Sequence, residues 1–317
     1  MDADRGDEIM HAVERLIRRH GRDGLSDAVT DTDVDWQSLW DRLHDTGLNS
    51  RLENQLATLH NRHERAYPSL VSVTFEPERF GFAPGEYLTV HYHHVPRPYS
   101  LASSPNRDDL EICIHRVPGG RLSHQLCDDL RVGEALAIRG PFGGNLTLRE
   151  PSSRDVAFLA TGTGVAPFKG MIDYLFEEGL DRHGRARRDV WLFLGASWRD
   201  DLPYAEAFRE RAAEFDNFHF VPTLSRESLL SDWGGETAYV QRTFLKYVDD
   251  TSIDPSRLSG DERAALESDP KADVGARIRP DSLEVYACGL NAMVYQLRST
   301  VNRVGVPEQY IRSEGYG

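Results

Sequence analysis

The stretch Val156-Ala157-Phe158-Leu159-Ala160, followed by Thr161-Gly162-Thr163-Gly164-Val165-Ala166-Pro167-Phe168, constrains the fold more than any other. The apolar run reads as a strand. The two glycines allow a turn whose backbone approaches a ligand closely, and Pro167 suits the first turn of the helix that follows. The order then repeats. Strands are expected at Val190–Leu194, Phe218–Pro222 and Leu283–Ala287, and helices at Phe168–Glu178, Tyr204–Glu214, around Val240–Val248 and at Ala292–Val304. Such alternation predicts a parallel sheet covered by helices on both faces. The polar stretch Asp249–Asp281 reads as a surface excursion with a helical turn near Glu262–Glu267.

Upstream the texture differs. From about Leu52 come short strand-like runs at Leu56–Leu59, Leu70–Phe75, Tyr87–Val90, Leu110–Ile114 and Ala135–Ile138, punctuated by Pro77, Pro84-Gly85, Pro118-Gly119-Gly120 and Gly140-Pro141. Short strands at this spacing predict an antiparallel barrel. Before them, Ile9, Val13, Leu16 and Ile17 share one helical face, and Trp36, Leu39, Trp40 and Leu43 another, which predicts a helical hairpin. The expected architecture is therefore a helical extension (1–50), an antiparallel β-barrel (51–150) and an α/β parallel-sheet domain (151–317).

The net charge of −14 includes only three lysines, Lys169, Lys246 and Lys271. An acidic excess disfavours nucleic acid, which needs a basic face. It fits a chain kept soluble in a salty cytoplasm, although GC-rich codon usage also favours arginine over lysine. No apolar run approaches a membrane span, and Met1-Asp2-Ala3-Asp4-Arg5 lacks the pattern of a signal peptide. Three separated cysteines, Cys113, Cys127 and Cys288, offer no metal-ligand spacing, so a cytoplasmic protein without its own metal is expected.

Further motifs suit nucleotide ligands. In Arg97-Pro98-Tyr99-Ser100 a guanidinium and a phenol ring share one strand face, and arginine meets phosphate with a planar fork. Gly119-Gly120-Arg121-Leu122-Ser123 reads as a glycine turn and a serine N-cap, opening a helix whose free N–H groups attract phosphate. The Gly162–Pro167 turn departs from the full dinucleotide fingerprint, because its sixth position is proline. Ser225-Arg226 follows an expected strand, where a hydroxyl and a guanidinium suit a ribose 2′-phosphate; the adjacent Glu227 is acidic.

Six blocks in order make the chain resemble the plant-type ferredoxin–NADP(+) reductase family. They are Pro84-Gly85-Glu86-Tyr87, Arg97-Pro98-Tyr99-Ser100, Gly120-Arg121-Leu122-Ser123, Gly162–Phe168, Ser225-Arg226-Glu227 and Tyr286-Ala287-Cys288-Gly289. Glu314-Gly315-Tyr316 resembles the family's Glu-x-Tyr ending. The resemblance implies FAD and NADP(H) as cofactors. It implies that Arg97 and Pro98, with Gly120, Leu122 and Ser123, serve the flavin pyrophosphate site, Ser123 as the helix cap. Tyr99 would lie on one flavin face and Ser100 would hydrogen-bond N5. Thr163 and Gly164 would receive the NADPH pyrophosphate, Ser225 and Arg226 the 2′-phosphate and Tyr239 the adenine. Cys288, followed by Gly289, would pack beside the nicotinamide. Glu314 would organise proton and hydride transfer with Ser100, and Tyr316 would cover the other flavin face.

The activity implied is hydride transfer between NADP(H) and flavin, with single electrons passed to or from a separate ferredoxin or flavodoxin. Two alternatives stand beside it: the NAD(P)H reductase component of an oxygenase system, and a flavin-binding redox sensor with weak turnover. Arg15, Arg18, Arg19 and Arg22, or Arg185, Arg187 and Arg188, are candidate docking cations in an acidic chain. Gly317 extends the chain beyond Tyr316, and the lysine that the family often carries after Gly-Pro-x-Gly is replaced here by Gly144.

Overall fold

The computed structural model describes residues 3–30, 33–45, 49–77, 80–92, 95–117, 119–150, 152–183, 186–272 and 274–316. The chain divides into two compact units, Met1–Ser69 with Arg226–Trp233, and Leu70–Ser225 with Gly234–Gly317. The expected features at Pro118, Arg185 and Gly317 fall outside the described residues.

The first unit is helical. Helix α1 (Ala3–Arg19), a 3-10 turn (Asp23–Ala28), α2 (Trp36–Asp45) and α3 (Ser50–His63) follow one another. Ile9, Val13, Leu16 and Ile17 of α1 are buried, as their helical spacing predicts, and so are Trp36, Leu39 and Leu43 of α2. The third helix corrects the strand expected at Leu56–Leu59. Leu52, Leu56 and Leu59 are four and three residues apart and all are buried. The Asn49 side chain accepts the Leu52 N–H at 3.2 Å and caps the helix. Helical structure thus runs through His63, and the first strand begins at Leu70.

The basic face of α1 is partly used within the unit. Arg15 Nη2 donates to the Leu230 carbonyl at 2.6 Å, pinning 226–233, and Arg18 pairs with Glu14 at 3.1 Å. Arg15 and Arg18 are thus partly engaged within the unit, and Arg22 lies beyond the end of α1.

The second unit begins with two antiparallel sheets. Strand β1 (Leu70–Phe75) pairs with β4 (Leu110–His115), and β2 (Tyr87–Tyr92) pairs with both β3 (Val95–Ser100) and β5 (Ala137–Phe142). A bridge between Leu101 and Ile112 joins the sheets. They share one core of Leu88, Val90, Leu110, Ile112 and Ile114, closed by Leu122 and Leu126 of α4 (Arg121–Asp128).

The rest of the unit alternates. It runs β6 (Asp155–Thr161), α5 (Ala166–Glu177), the short pair β7 (Arg182–His183) and β8 (Ala186–Arg187), β9 (Val190–Ala196), α6 (Ala205–Glu214) and β10 (Phe218–Leu224). Then come α7 (Val240–Leu245), α8 (Gly260–Leu266), β11 (Leu283–Leu290), α9 (Asn291–Arg303) and β12 (Ile311–Tyr316). The parallel sheet has the order β10-β9-β6-β11-β12. Its central strands are buried on both faces, which explains their unbroken apolar runs. The excursion holds α8, capped reciprocally by Ser259 and Glu262.

Helix α5 is fixed to the antiparallel sheets along its length. Lys169 Nζ lies 3.2 Å from both Glu111 and Asp173, and 3.3 Å from the Ala102 carbonyl. Near the other end, Ser104 donates to Glu177. These contacts set the glycine turn that precedes α5 against the barrel strands.

Candidate functional site

Strands β6 and β11 lie side by side, and the chain leaves them toward opposite sides of the sheet. The crevice at their carboxyl ends is the expected ligand position in an open α/β sheet. A 3-10 turn, Gly162–Val165, fills the step from β6 to α5. Its two glycines answer different demands. Gly162 has φ +52°, a left-handed conformation that favours glycine. Gly164 lies against β11, and a Cβ there would sit 2.7 Å from the Cys288 carbonyl carbon and 2.9 Å from the Gly289 nitrogen. Pro167 takes a first-turn position of α5, and among the described residues no side chain caps the turn or the helix, so their leading N–H groups are available to an anion.

Two further features mark a receiving surface. Thr161 Oγ1 is buried and has no hydrogen-bond partner among the described residues. Gly289, with φ +154°, opposes it; a Cβ there would crowd this hydroxyl and lie 2.6 Å from the Met293 methyl. An orphaned hydroxyl beside a cradle without side chains fits a nucleotide phosphate or amide. The sequence reading placed Thr161 in the turn motif without a role, because no local pattern marks its hydroxyl as buried and unpartnered.

Cys288, Glu314 and Tyr316 converge here. The register sets Cys288 between Ala160 of β6 and Glu314 of β12. Burial pushes the Cys288 thiol up to about 12, so it stays protonated and packs rather than attacks. Glu314 is an exposed residue whose carboxyl end is shielded, and that desolvation raises it above the ordinary carboxylate value. The Tyr316 hydroxyl donates to the Thr161 carbonyl at 3.1 Å and lies 3.4 Å from Thr163 Oγ1. Burial pushes its phenol up to about 12. Tyr316 thus closes over the glycine turn.

On the barrel side, the register pairs Arg97 with Val90 and Tyr99 with Leu88, so Arg97 and Tyr99 share a face. Tyr99 packs on the barrel core and burial pushes it up to about 12. Arg97 is exposed, with Nη1 donating to its neighbour's carbonyl, Pro96, at 2.8 Å. Ser100 ends β3 opposite Tyr87. No hydrogen bond joins Ser100 to Glu314 among the described residues.

One expectation for α4, Ser123 as its cap, is corrected. The N-cap is Gly120, in extended conformation, and Ser123 is the third helical residue. Ser123 Oγ instead accepts the Val117 N–H at 3.4 Å, holding the turn that enters the helix. Leu122 is buried in the barrel core, so only its backbone can face a ligand. Because glycine caps without a side chain, the first N–H groups of α4 stay available to an anion.

At the far edge, Ser225 follows β10 and its N–H donates to the Ala196 carbonyl at 3.0 Å. Arg226 is exposed; its carbonyl accepts the Leu229 N–H at 2.9 Å, and its side chain makes no hydrogen bond or ion pair among the described residues. Glu227 is buried and accepts the Ser231 hydroxyl at 2.9 Å, so its carboxylate is committed elsewhere. Tyr239 precedes α7 and is 65% exposed, with no ring contact among the described residues.

Residues 70–146 match the oxidoreductase FAD-binding domain family, and residues 158–299 match the oxidoreductase NAD-binding domain family. Protein RfbI of Salmonella typhimurium is 32% identical over 171 residues, covering 54% of this chain and 48% of that protein. The phenol 2-monooxygenase reductase component DmpP of a Pseudomonas species is 31% identical over 171 residues, 53% of this chain and 46% of its own. The chain spans about half the length of the curated relatives it matches. A ferredoxin NADP+ reductase from Neisseria gonorrhoeae, solved with bound FAD and NADP, superposes with a TM-score of 0.60 at 20% identity, covering 78% of this chain and 93% of that one.

The architecture is the two-domain fold of the ferredoxin–NADP(+) reductase type, with helices before it. This chain carries an FAD-binding oxidoreductase domain followed by an NAD(P)-binding one. Among the described residues, no helix is long and apolar enough to cross a membrane.

Proposed function

We propose that the protein is an NADPH-linked flavoprotein reductase that supplies electrons to a separate acceptor protein, as the reductase component of an oxygenase system does. The observation that carries this reading is the convergence of Cys288, Glu314 and Tyr316 on the uncapped glycine turn. Bound FAD and NADPH supply the redox chemistry, and the chain supplies position and electrostatics.

Arg97 and the leading N–H groups of α4 hold the flavin pyrophosphate. Tyr99 offers a ring surface fixed by the barrel, and Ser100 a hydroxyl for the reactive edge. Thr163, Gly164 and the start of α5 hold the nicotinamide nucleotide. Cys288 fills space beside it as a neutral thiol. Glu314, raised by desolvation, holds a proton near neutrality more readily than an exposed carboxylate does. Tyr316 excludes water from the turn and must swing aside for the nucleotide. Preference for NADPH over NADH rests on Ser225 and the uncommitted guanidinium of its chain neighbour Arg226, with Tyr239 for the adenine.

The likeness to a phenol 2-monooxygenase reductase component favours an oxygenase as acceptor. Ferredoxin or flavodoxin is the acceptor implied by the plant-type motifs. This reading implies a cytoplasmic setting, where reduced nicotinamide nucleotide is available.

The test is the rate of flavin reduction in Ser100→Ala and Glu314→Gln. Each should retain stoichiometric FAD while the rate falls at least about tenfold. Wild-type rates in both would remove the assignment. Slow turnover in the wild-type protein itself would favour a redox sensor.

A further inference from the structure

We propose that the pocket beside β12 is a binding site for a small polyanion bearing carboxylate or phosphoryl groups, separate from the nucleotide crevice. The pocket encloses about 330 Å3, in the range of small-molecule sites. Arg149, Arg298 and Arg312 line it, with Asn145, Gln309 and Ser313 among its other polar walls. Among the described residues, no acidic side chain lines it. In a chain of net charge −14, three guanidinium groups around one cavity, two of them paired with glutamates outside the lining, leave a local positive balance.

Two of the three are held in place. Arg298 Nη1 donates to Ser313 Oγ at 3.1 Å and its other arm meets Glu308. Arg312 is buried, 3.7 Å from Glu284, with its guanidinium 5.8 Å from the centre of the Tyr286 ring. Each retains further N–H donors, since a guanidinium has five. The third is uncommitted. The Arg149 backbone is fixed by its N–H donating to the Tyr286 hydroxyl at 3.0 Å, yet its exposed side chain makes no hydrogen bond or ion pair among the described residues. Two anchored forks and one free fork form a receptor that an anion with more than one charged group can close.

The site adjoins the catalytic strand. Arg312 and Ser313 immediately precede Glu314 on β12, and Ser313 pairs with Ala287 next to Cys288. An anion bound to these side chains would hold β12 in place where Glu314 and Tyr316 leave it.

The experiment uses the FAD-loaded protein saturated with NADP+, so that pyrophosphate positions are filled. Citrate and inorganic phosphate are titrated separately by calorimetry at constant ionic strength set with chloride. We expect one saturable site for at least one anion; the tighter of the two assigns carboxylate or phosphoryl chemistry. Arg149→Ala, which removes only an exposed side chain, should weaken binding at least about tenfold at unchanged FAD content. Arg298→Lys, keeping charge but losing the fork, should weaken it as well. No saturable binding of either anion, or wild-type affinity in both variants, would overturn the proposal.

Discussion

Gly164→Ala isolates the role of the second turn glycine. The added Cβ would stand 2.7 Å from the Cys288 carbonyl carbon and 2.9 Å from the Gly289 nitrogen, where 3.4 Å is an ordinary contact. Relief therefore requires about 0.7 Å of separation between two backbones, with no flexible side chain to absorb it. One backbone belongs to the 3-10 turn that follows β6 and the other to β11, the strand paired with β6 in the buried sheet. Overpacking of this kind costs roughly 1–3 kcal/mol. In a unit of this size that lowers the melting temperature by roughly 2–10 °C. The displaced groups are also the N–H donors of the turn, so NADP+ affinity should fall at least about tenfold. The assay is calorimetric melting of the FAD-loaded protein together with NADP+ titration. Gly162→Ala is the control: its φ is +52° but its surroundings are open, so it should cost only about 1–2 kcal/mol of backbone strain. A Gly164→Ala protein with unchanged melting and unchanged NADP+ affinity would refute the close-approach argument.

Other consequences are as direct. Leu56→Ala should destabilise the helical unit by roughly 2–5 kcal/mol in chemical denaturation, because Leu56 is fully buried on α3; a surface-like effect would contradict the helix. Lys169→Met should destabilise the protein by about 3–5 kcal/mol, leaving the buried Glu111 carboxylate without its cation, and Glu111→Gln in the same chain should recover part of the loss. Burial alone would raise Glu262, but bonds from Arg303, Thr300 and Ser259 lower it to about 2. Its stabilisation is thus present above pH 4.5 and is lost as pH falls toward 2, and Glu262→Gln should flatten that part of an acid melting profile. Glu314 moves the opposite way. Its raised carboxyl favours the folded state while protonated, and that contribution fades as pH rises past its folded value, so Glu314→Gln should melt higher than the parent at neutral pH.

The parallel sheet was legible because its strands are buried on both faces and so wrote themselves as unbroken apolar runs ahead of glycine or polar turns. Leu56–Leu59 misled for the same reason in reverse. Four residues of mixed apolar character fit either period, and the deciding signals were Asn49 as a cap and Leu52 one turn earlier. Ser123 was read as a cap because serine prefers that position, but Gly120 occupies it in extended conformation and serine serves the entering loop. The pairing of β6 with β11, the meeting of Tyr316 with Thr161, and the arginine pocket all depend on contacts across more than a hundred residues. No local pattern encodes them.

The central claim is tested most directly by mixing the FAD-loaded protein anaerobically with NADPH, and separately with NADH, while following flavin bleaching by stopped flow at high salt. The account predicts rapid, complete bleaching by NADPH and at least about tenfold slower bleaching by NADH. Absence of bleaching by either nucleotide, in protein that retains its flavin, would contradict it.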